Sequence, residues 1–288
     1  RLMCIRDSVT IILSSVSSNT GTVACLMPVI VGICQAAKIP ASKELMPLAI
    51  AANVGGTITM IGTPPNVIVT GALSAAGLPT FGFFEFAYIG IPLSAIIFFW
   101  TLFVGRHFLP DKSAGAMDEE AVKAAKEEAG AGDDNAPKSK TKMWISGLIL
   151  IGVVLAMALE LPTLPLQTAA VTGAILCVIT GCLKEKEAYA GIDWVTIFLF
   201  AGMLSVATAM EKTGAGKLIA DTVVGMMGAN PSPYLLTAVL FLISNVLTQF
   251  MSNTASAALL APIGISIAQT IGCDPKPVLM ALGIAASM

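Results

Sequence analysis

Apolar residues fill this chain in long blocks, and the polar positions that cut those blocks are few and sharply placed. An apolar arm over 8–17 ends at Ser18-Asn19-Thr20, and a second arm over 21–37 leads away from it. A helix needs about 20 residues to cross the hydrocarbon core, so two shorter arms meeting at a polar tip predict a re-entrant hairpin over 9–37. One continuous span carrying a polar triplet is the alternative. The block from 45 to 77 is cut by Gly55-Gly56-Thr57 and by Gly62-Thr63-Pro64-Pro65-Asn66. Two adjacent prolines remove two backbone donors and clash with the preceding turn, which predicts two half-helices meeting at membrane depth. Spans follow over 83–105, 143–161, 166–183 and 194–212, then a second hairpin over 234–270 and the start of a second broken helix over 275–288. The pattern predicts an all-α polytopic membrane protein.

The two hairpins are copies of one unit. Ser18-Asn19-Thr20 returns as Ser252-Asn253-Thr254, 234 residues later, and residues 9–54 and 243–288 are identical at 15 of 46 positions without a gap. Leu45-Met46-x-Leu48-x-Ile50-Ala51-Ala52 returns as Leu279-Met280-x-Leu282-x-Ile284-Ala285-Ala286. Apolar low-complexity sequence does not hold register over that length by chance. A repeat built on a polar triplet inside apolar sequence is the pattern of a transporter made of two related halves.

Charge sets orientation. Lys and Arg number two in 38–43, seven in 106–142 and two in 184–186, while 78–82 and 162–165 hold none. The three basic segments are therefore expected in the cytoplasm, in the inner or plasma membrane of a cell. Five spans then separate the hairpins, so the first enters from the cytoplasm and the second from outside, and the repeats are expected to be inverted. Residues 106–142 read as a cytoplasmic linker with a short charged helix over 117–129, and 213–233 as an interfacial connection. Trp144 and Trp194 near span starts read as interface anchors.

Composition narrows the chemistry. Charged residues make up 12% of the chain, about half the usual share, and no basic cluster suits nucleic acid. The six cysteines are scattered and read as small packing residues. Residues 1–8, with Arg1, Arg6 and Asp7, do not fit the apolar arm that follows and read as a scar or truncated segment. The chain is expected to be a fragment of a longer protein. Past Met288 a second break, a small residue followed by Thr-Pro or Ser-Pro, is expected by the repeat.

Each tip supplies a hydroxyl, a carboxamide and a second hydroxyl, with a further hydroxyl one helical turn earlier: Ser14 before Ser18, Thr248 before Ser252. Neutral oxygens and freed carbonyls suit a hard cation such as Na⁺, and the amides that open the outgoing helices suit an anion. Asn19 and Asn253 are the side chains placed to hold a carboxylate or sulfate. Residues 9–37, 45–77 and 234–272 contain no Asp, Glu, Lys, Arg or His, with Glu44 at one edge, which favours sodium over proton coupling. Helix capping by Ser and Asn is the structural alternative.

The paired Ser-Asn-Thr tips, Gly55-Gly56-Thr57 running into Gly62-Thr63-Pro64-Pro65-Asn66, and Phe200-Ala201-Gly202-Met203 leading to Ala209-Met210-Glu211-Lys212-Thr213-Gly214 resemble the divalent anion:sodium symporter family of the ion transporter superfamily. The resemblance runs over nearly all of 9–288. It implies a homodimeric secondary transporter working as an elevator in the lipid bilayer. It implies that Ser14, Ser18, Asn19 and Gly62 form one sodium site and Thr248, Ser252 and Asn253 part of a second. Asn19, Thr20, Thr63, Pro64, Asn253 and Thr254 are implied to face the substrate.

The expected function is sodium-coupled symport of divalent anions, first C4-dicarboxylates such as succinate or malate, with citrate or sulfate behind them. Na⁺ is the coupling ion, and no cofactor and no catalytic residue is expected. A sodium/proton antiporter or arsenite-type anion carrier of the same superfamily is the second reading. A membrane-embedded enzyme would need a base or metal ligands at membrane depth, and the sole His107 lies at a span end beside Arg106.

Overall fold

A computed structural model describes residues 2–37, 42–105, 140–159, 165–215 and 232–288, with a few positions between 217 and 225. The described residues form twelve α-helices and no strand. The first repeat is α1 (Leu2–Val16), α2 (Asn19–Ala37), α3 (Ser42–Gly56) and α4 (Pro64–Ala75). Next come α5 (Ala87–Trp100), which runs into a π-helical turn over Thr101–Gly105, then α6 (Lys140–Ala158), α7 (Leu166–Ile179), the short α8 (Glu185–Ala190) and α9 (Trp194–Thr213). The second repeat is α10 (Pro233–Leu247), α11 (Asn253–Ile271) and α12 (Pro275–Ser287).

Local chemistry sets these boundaries. Pro64 and Pro65 open α4, where a helix has no use for their missing donors. Ser232 and Asp274 cap α10 and α12 ahead of Pro233 and Pro275. Gly272, at φ +75°, ends α11 in the left-handed conformation. The repeat holds in length as well as sequence: the first arms have 15 residues each and the second arms 19, with Pro28 and Pro262 at the tenth position of each second arm. The second arms exceed the expectation of arms too short to cross. At about 28 Å, α11 is long and apolar enough to span the membrane alone, as are 87–105 and 141–158.

Two sequence expectations shift. The span expected from 83 begins as helix only at Ala87, because Phe81, Phe83 and Phe86 turn inward and are fully buried beneath the break. Leu2–Asp7, read as foreign to the hairpin, instead forms the opening turns of α1, with Arg6 and Asp7 buried and ion-paired. Of the linker expected over 106–142, residues 106–139 lie outside the described residues, as does most of 213–233, and 140–142 form the first turn of α6.

The main core packs α4 against α11 and α12, with Val69, Leu73, Ala261 and Leu279 at its centre. The hairpin of α6 and α7 joins the break through Met157, Ala169 and Phe83. Side chains such as Ile91, Ile96, Phe99, Leu148, Ile151 and Phe198 stay exposed, the inside-out surface of a chain that meets lipid. Lys276 at the start of α12 pairs with Glu85 just before α5, at 2.9 Å, and Asp7 near the start of α1 meets Thr101 at the other end of α5. The base of one repeat thus lies at each end of α5.

Candidate functional site

Between α3 and α4 the chain turns through residues 57–63 without helix, held by Thr57 N–H on Val54 O at 3.1 Å, Thr57 Oγ1 on Val54 O at 2.7 Å and Met60 N–H on Phe83 O at 3.1 Å. Thr59 donates to the carbonyl of Ser15, tying the break to the end of α1. Asn66, fully buried in the first turn of α4, donates to Thr59 O at 2.9 Å and reaches Gly56 O at 3.5 Å. The break is therefore a fixed loop shaped by side chains from both flanks.

The first tip closes onto this loop. Ser14, fully buried, directs its hydroxyl at Asn19 Oδ1 (2.9 Å) and at the Ala52 carbonyl (2.6 Å). The inward-facing atom of the Asn19 carboxamide lies 2.9 Å from Ser14 Oγ, 3.1 Å from Ala52 O and 3.2 Å from Gly62 O, and its outward nitrogen donates to Asn53 Oδ1 at 3.3 Å. With oxygen inward, four neutral oxygens converge and the one hydroxyl proton cannot serve them all. With nitrogen inward, the amide donates to both carbonyls. A cation among them favours the first orientation.

Glycine makes the closure possible. A Cβ on Gly56 would stand 2.1 Å from Asn19 Oδ1 and 3.0 Å from Gly62 O, and one on Gly62 would stand 2.4 Å from Gly56 O. No side chain fits at either position.

The second tip repeats the first. Thr248 Oγ1 reaches Asn253 Oδ1 at 2.9 Å and the Ala286 carbonyl at 3.2 Å. Thr248, Asn253 and Ala286 stand 234 residues after Ser14, Asn19 and Ala52. The position matching Gly62 falls beyond Met288. Asn66 stands where the halves meet, because it reaches back to α3 while Gly283 of α12 packs on Val69 and faces Asn66 Oδ1.

The remaining predicted residues divide. Ser18 and Ser252 are exposed and cap the outgoing helices, accepting from Gly21 N–H at 3.1 Å and Ala255 N–H at 3.2 Å. Thr63 is buried at the N-cap of α4 in extended backbone, and its hydroxyl makes no cap bond. Pro64 and Thr20 are exposed and Thr254 half-buried. Ala52 and Ala286 were missed because their contribution is a backbone carbonyl, although both lie in the identical run that defines the repeat. Asn53, Thr59 and Asn66 were also missed, Asn66 even though it was quoted in the proline motif.

No cluster of His, Cys, Asp or Glu among the described residues could hold a metal ion. A cavity of about 960 Å³ opens between the C-terminal halves of α4, α9 and α11, lined by Ala72, Leu204, Thr208, Lys217, Pro262 and Gln269, and none of the tip residues borders it.

A pair of hydroxyl–carboxamide–carbonyl clusters, the first of them on a broken helix, is transporter architecture, and comparison with known proteins agrees. Residues 1–285 match the citrate transporter family, CitMHS. The chain belongs to that family. It is 29% identical to an uncharacterized transporter of Haemophilus influenzae across 97% of this chain and 60% of that protein. It is 28% identical to the uncharacterized transporter MJ0672 of Methanocaldococcus jannaschii across 94% and 59%. The uncharacterized transporter YfbS of Escherichia coli is 38% identical across 47% of this chain and 22% of its own length. The chain thus spans about three-fifths of the first two relatives. Citrate transporter family members and these relatives are transporters, not enzymes, and the chain is part of a multi-pass membrane protein.

Proposed function

We infer that the full-length protein is a sodium-coupled secondary carrier of polycarboxylate anions. Citrate is the first candidate, on the family's description, and C4-dicarboxylates the second. The observation that carries this reading is the matched pair of hydroxyl–carboxamide–carbonyl triads, Ser14–Asn19–Ala52 and Thr248–Asn253–Ala286. Capping alone would need only Ser18 and Ser252; it gives no reason for the hydroxyls of Ser14 and Thr248 to bridge the carboxamide and a carbonyl of the next helix in both copies.

In this reading each triad is half of a site. Ser14, Asn19, Ala52 and Gly62 take one sodium ion, and Thr248, Asn253 and Ala286 begin a second, with Ser18 and Ser252 holding the helix N-termini in place. The amides opening α2 and α11 and the side chains of Asn19, Thr20, Thr63, Asn253 and Thr254 take the anion, whose charge the sodium ions balance. The opposed bases at the two ends of α5 support inverted repeats, and inverted repeats support alternating access by an elevator motion of a homodimer. Similarity to divalent anion:sodium symporters supports the same mechanism.

One observation favours the antiporter reading. Asp7 is fully buried two turns before Ser14, and a buried carboxylate is what proton coupling requires. Uptake of labelled citrate, succinate and sulfate into proteoliposomes of the full-length protein separates the two. The sodium reading expects uptake that needs Na⁺ and rises sigmoidally with it; uptake driven equally by a pH gradient in Na⁺-free buffer overturns it.

A further inference from the structure

The first repeat carries at its base a buried ion cluster that the second lacks. Arg6 donates through Nε and Nη2 to Asp7 Oδ1 at 2.8 and 2.6 Å, and through Nη1 to the Glu44 carbonyl at 2.9 Å and to its carboxylate. Arg6, Asp7 and Glu44 are 7%, 1% and 3% exposed. At the matching positions of the second repeat stand Leu240, Phe241 and Val278, and Leu240 and Val278 pack in an apolar core. The architecture therefore does not need charge at this place. Burying ions costs several kcal/mol each before pairing, and apolar residues of similar volume often replace them without loss. Charge kept buried at that cost in a membrane transporter points to an ion or proton path.

The cluster is joined to the candidate site by one face of α1. Asp7, Thr10 and Ser14 are all buried at helical spacing, while Ile5, Val9, Ile12 and Leu13 face outward. From Asp7 to Ser14 this polar stripe is about 10 Å long. On the other side, α5 passes into its π turn at Thr101, whose hydroxyl bonds the carbonyls of Ile97 (3.0 Å) and Phe98 (2.9 Å) and lies 3.4 Å from Asp7 Oδ2. Such turns recur at functional sites. Ser94, two turns earlier on α5, holds a buried hydroxyl with no partner. Among the described residues, Cys34 on α2 lies within reach of the charges of Glu44 and Arg6, and Lys43, which has an interaction of its own, directly precedes Glu44.

Among the described residues one guanidinium pairs with two carboxylates, so this buried cluster is one negative charge in excess unless a carboxyl holds a proton. We propose that Arg6, Asp7 and Glu44 form a one-proton site whose occupancy tunes ion binding at the first tip. The sign follows from Coulomb's law. Without the proton, the excess negative charge favours a cation at Ser14 and Asn19; with it, that help is lost. Sodium affinity therefore falls as pH falls, by up to about tenfold per pH unit for one proton. This last step rests on the sodium reading, whereas the proton site itself does not.

The test is made on purified full-length protein. Infrared titration without substrate is expected to reveal one protonated-carboxyl band that titrates in the wild type and is lost in Glu44→Gln or Asp7→Asn. Sodium titrations at several pH values are expected to shift in the wild type and to flatten in these variants and in the triple variant Arg6→Leu/Asp7→Phe/Glu44→Val. A wild type with no titrating band overturns the proton site, and that measurement stands even where the variants fail to fold. A band that persists in both single variants overturns it too. A band with no sodium binding at any pH overturns the sodium reading and leaves the proton site standing.

Discussion

Ser14 and Thr248 span the same gap in the two repeats, from a hairpin arm to a carboxamide on one side and a carbonyl of the next helix on the other. Eight residues earlier the repeats part, because Arg6 joins Asp7 and Glu44 in a buried ion cluster where Leu240 packs with Val278 among apolar neighbours. The hairpin arms agree in length, 15 residues in the first and 19 in the second, and in the proline at the tenth position of the second. The tips therefore hold what the two halves must do alike, and the bases hold what one half does alone.

The comparison breaks most completely at the carboxamides. Asn19→Ala or Asn253→Ala in the full-length protein is expected to reduce anion uptake to background while expression and elution volume stay those of the wild type, as read by transport assay and size-exclusion chromatography. Normal uptake with either substitution removes that tip from the site. Asn19→Asp sharpens the point, since a carboxylate suits a cation but would face the Ala52 and Gly62 carbonyls unaided if the amide nitrogen is what points inward.

At the bases the expected effects are on stability and differ in sign. Arg6→Leu leaves two buried carboxylates without their partner and should destabilise by about 3–5 kcal/mol. The triple change that installs Leu, Phe and Val from the second repeat should be neutral or stabilising. Thermal unfolding in detergent checks both; a triple variant as damaged as Arg6→Leu would mean that the first base cannot adopt the apolar packing of the second.

Smaller effects follow at the glycine and hydroxyl positions. Gly56→Ala is expected to cost about 1–3 kcal/mol and to lower uptake, because its Cβ collides with Asn19. Ser14→Ala should cost about 1–3 kcal/mol, because it leaves the buried Ala52 carbonyl without its donor. An unchanged thermal midpoint in Ser14→Ala would remove that hydrogen bond from the account. Smallest of all is Asp193, the exposed residue ahead of α9, whose carboxyl is held below its ordinary range by hydrogen bonds from the Thr196 side chain and backbone. A depressed folded-state value means that its contribution is present above the unfolded value near 4 and is lost as pH falls through the folded one. Asp193→Asn is expected to remove that acid-side dependence at a cost below about 1 kcal/mol.

Much of this was legible because polar residues in apolar sequence are conspicuous. The proline pair placed the break before α4, and the 234-residue offset paired Ser14 with Thr248 before any coordinates. Other features were not legible for physical reasons. Ala52 and Ala286 act through backbone oxygens that leave no side-chain signature. Phe83 and Phe86 look like the start of a span, since hydropathy cannot distinguish a ring that meets lipid from one that plugs a core. Arg6 and Asp7 were set aside as foreign because two charges in an apolar arm look misplaced until Glu44, 38 residues away, is seen to pair with them.

The central claim is that the two tips are equivalent cation sites built from neutral oxygens. Crystals of the full-length protein grown with thallium in place of sodium, and measured for anomalous signal, test it most directly. The account predicts one peak among Ser14 Oγ, Asn19 Oδ1, Ala52 O and Gly62 O and a second beside Thr248, Asn253 and Ala286. No peak at either tip, with the Asn19 nitrogen turned inward onto the Ala52 and Gly62 carbonyls, would contradict it.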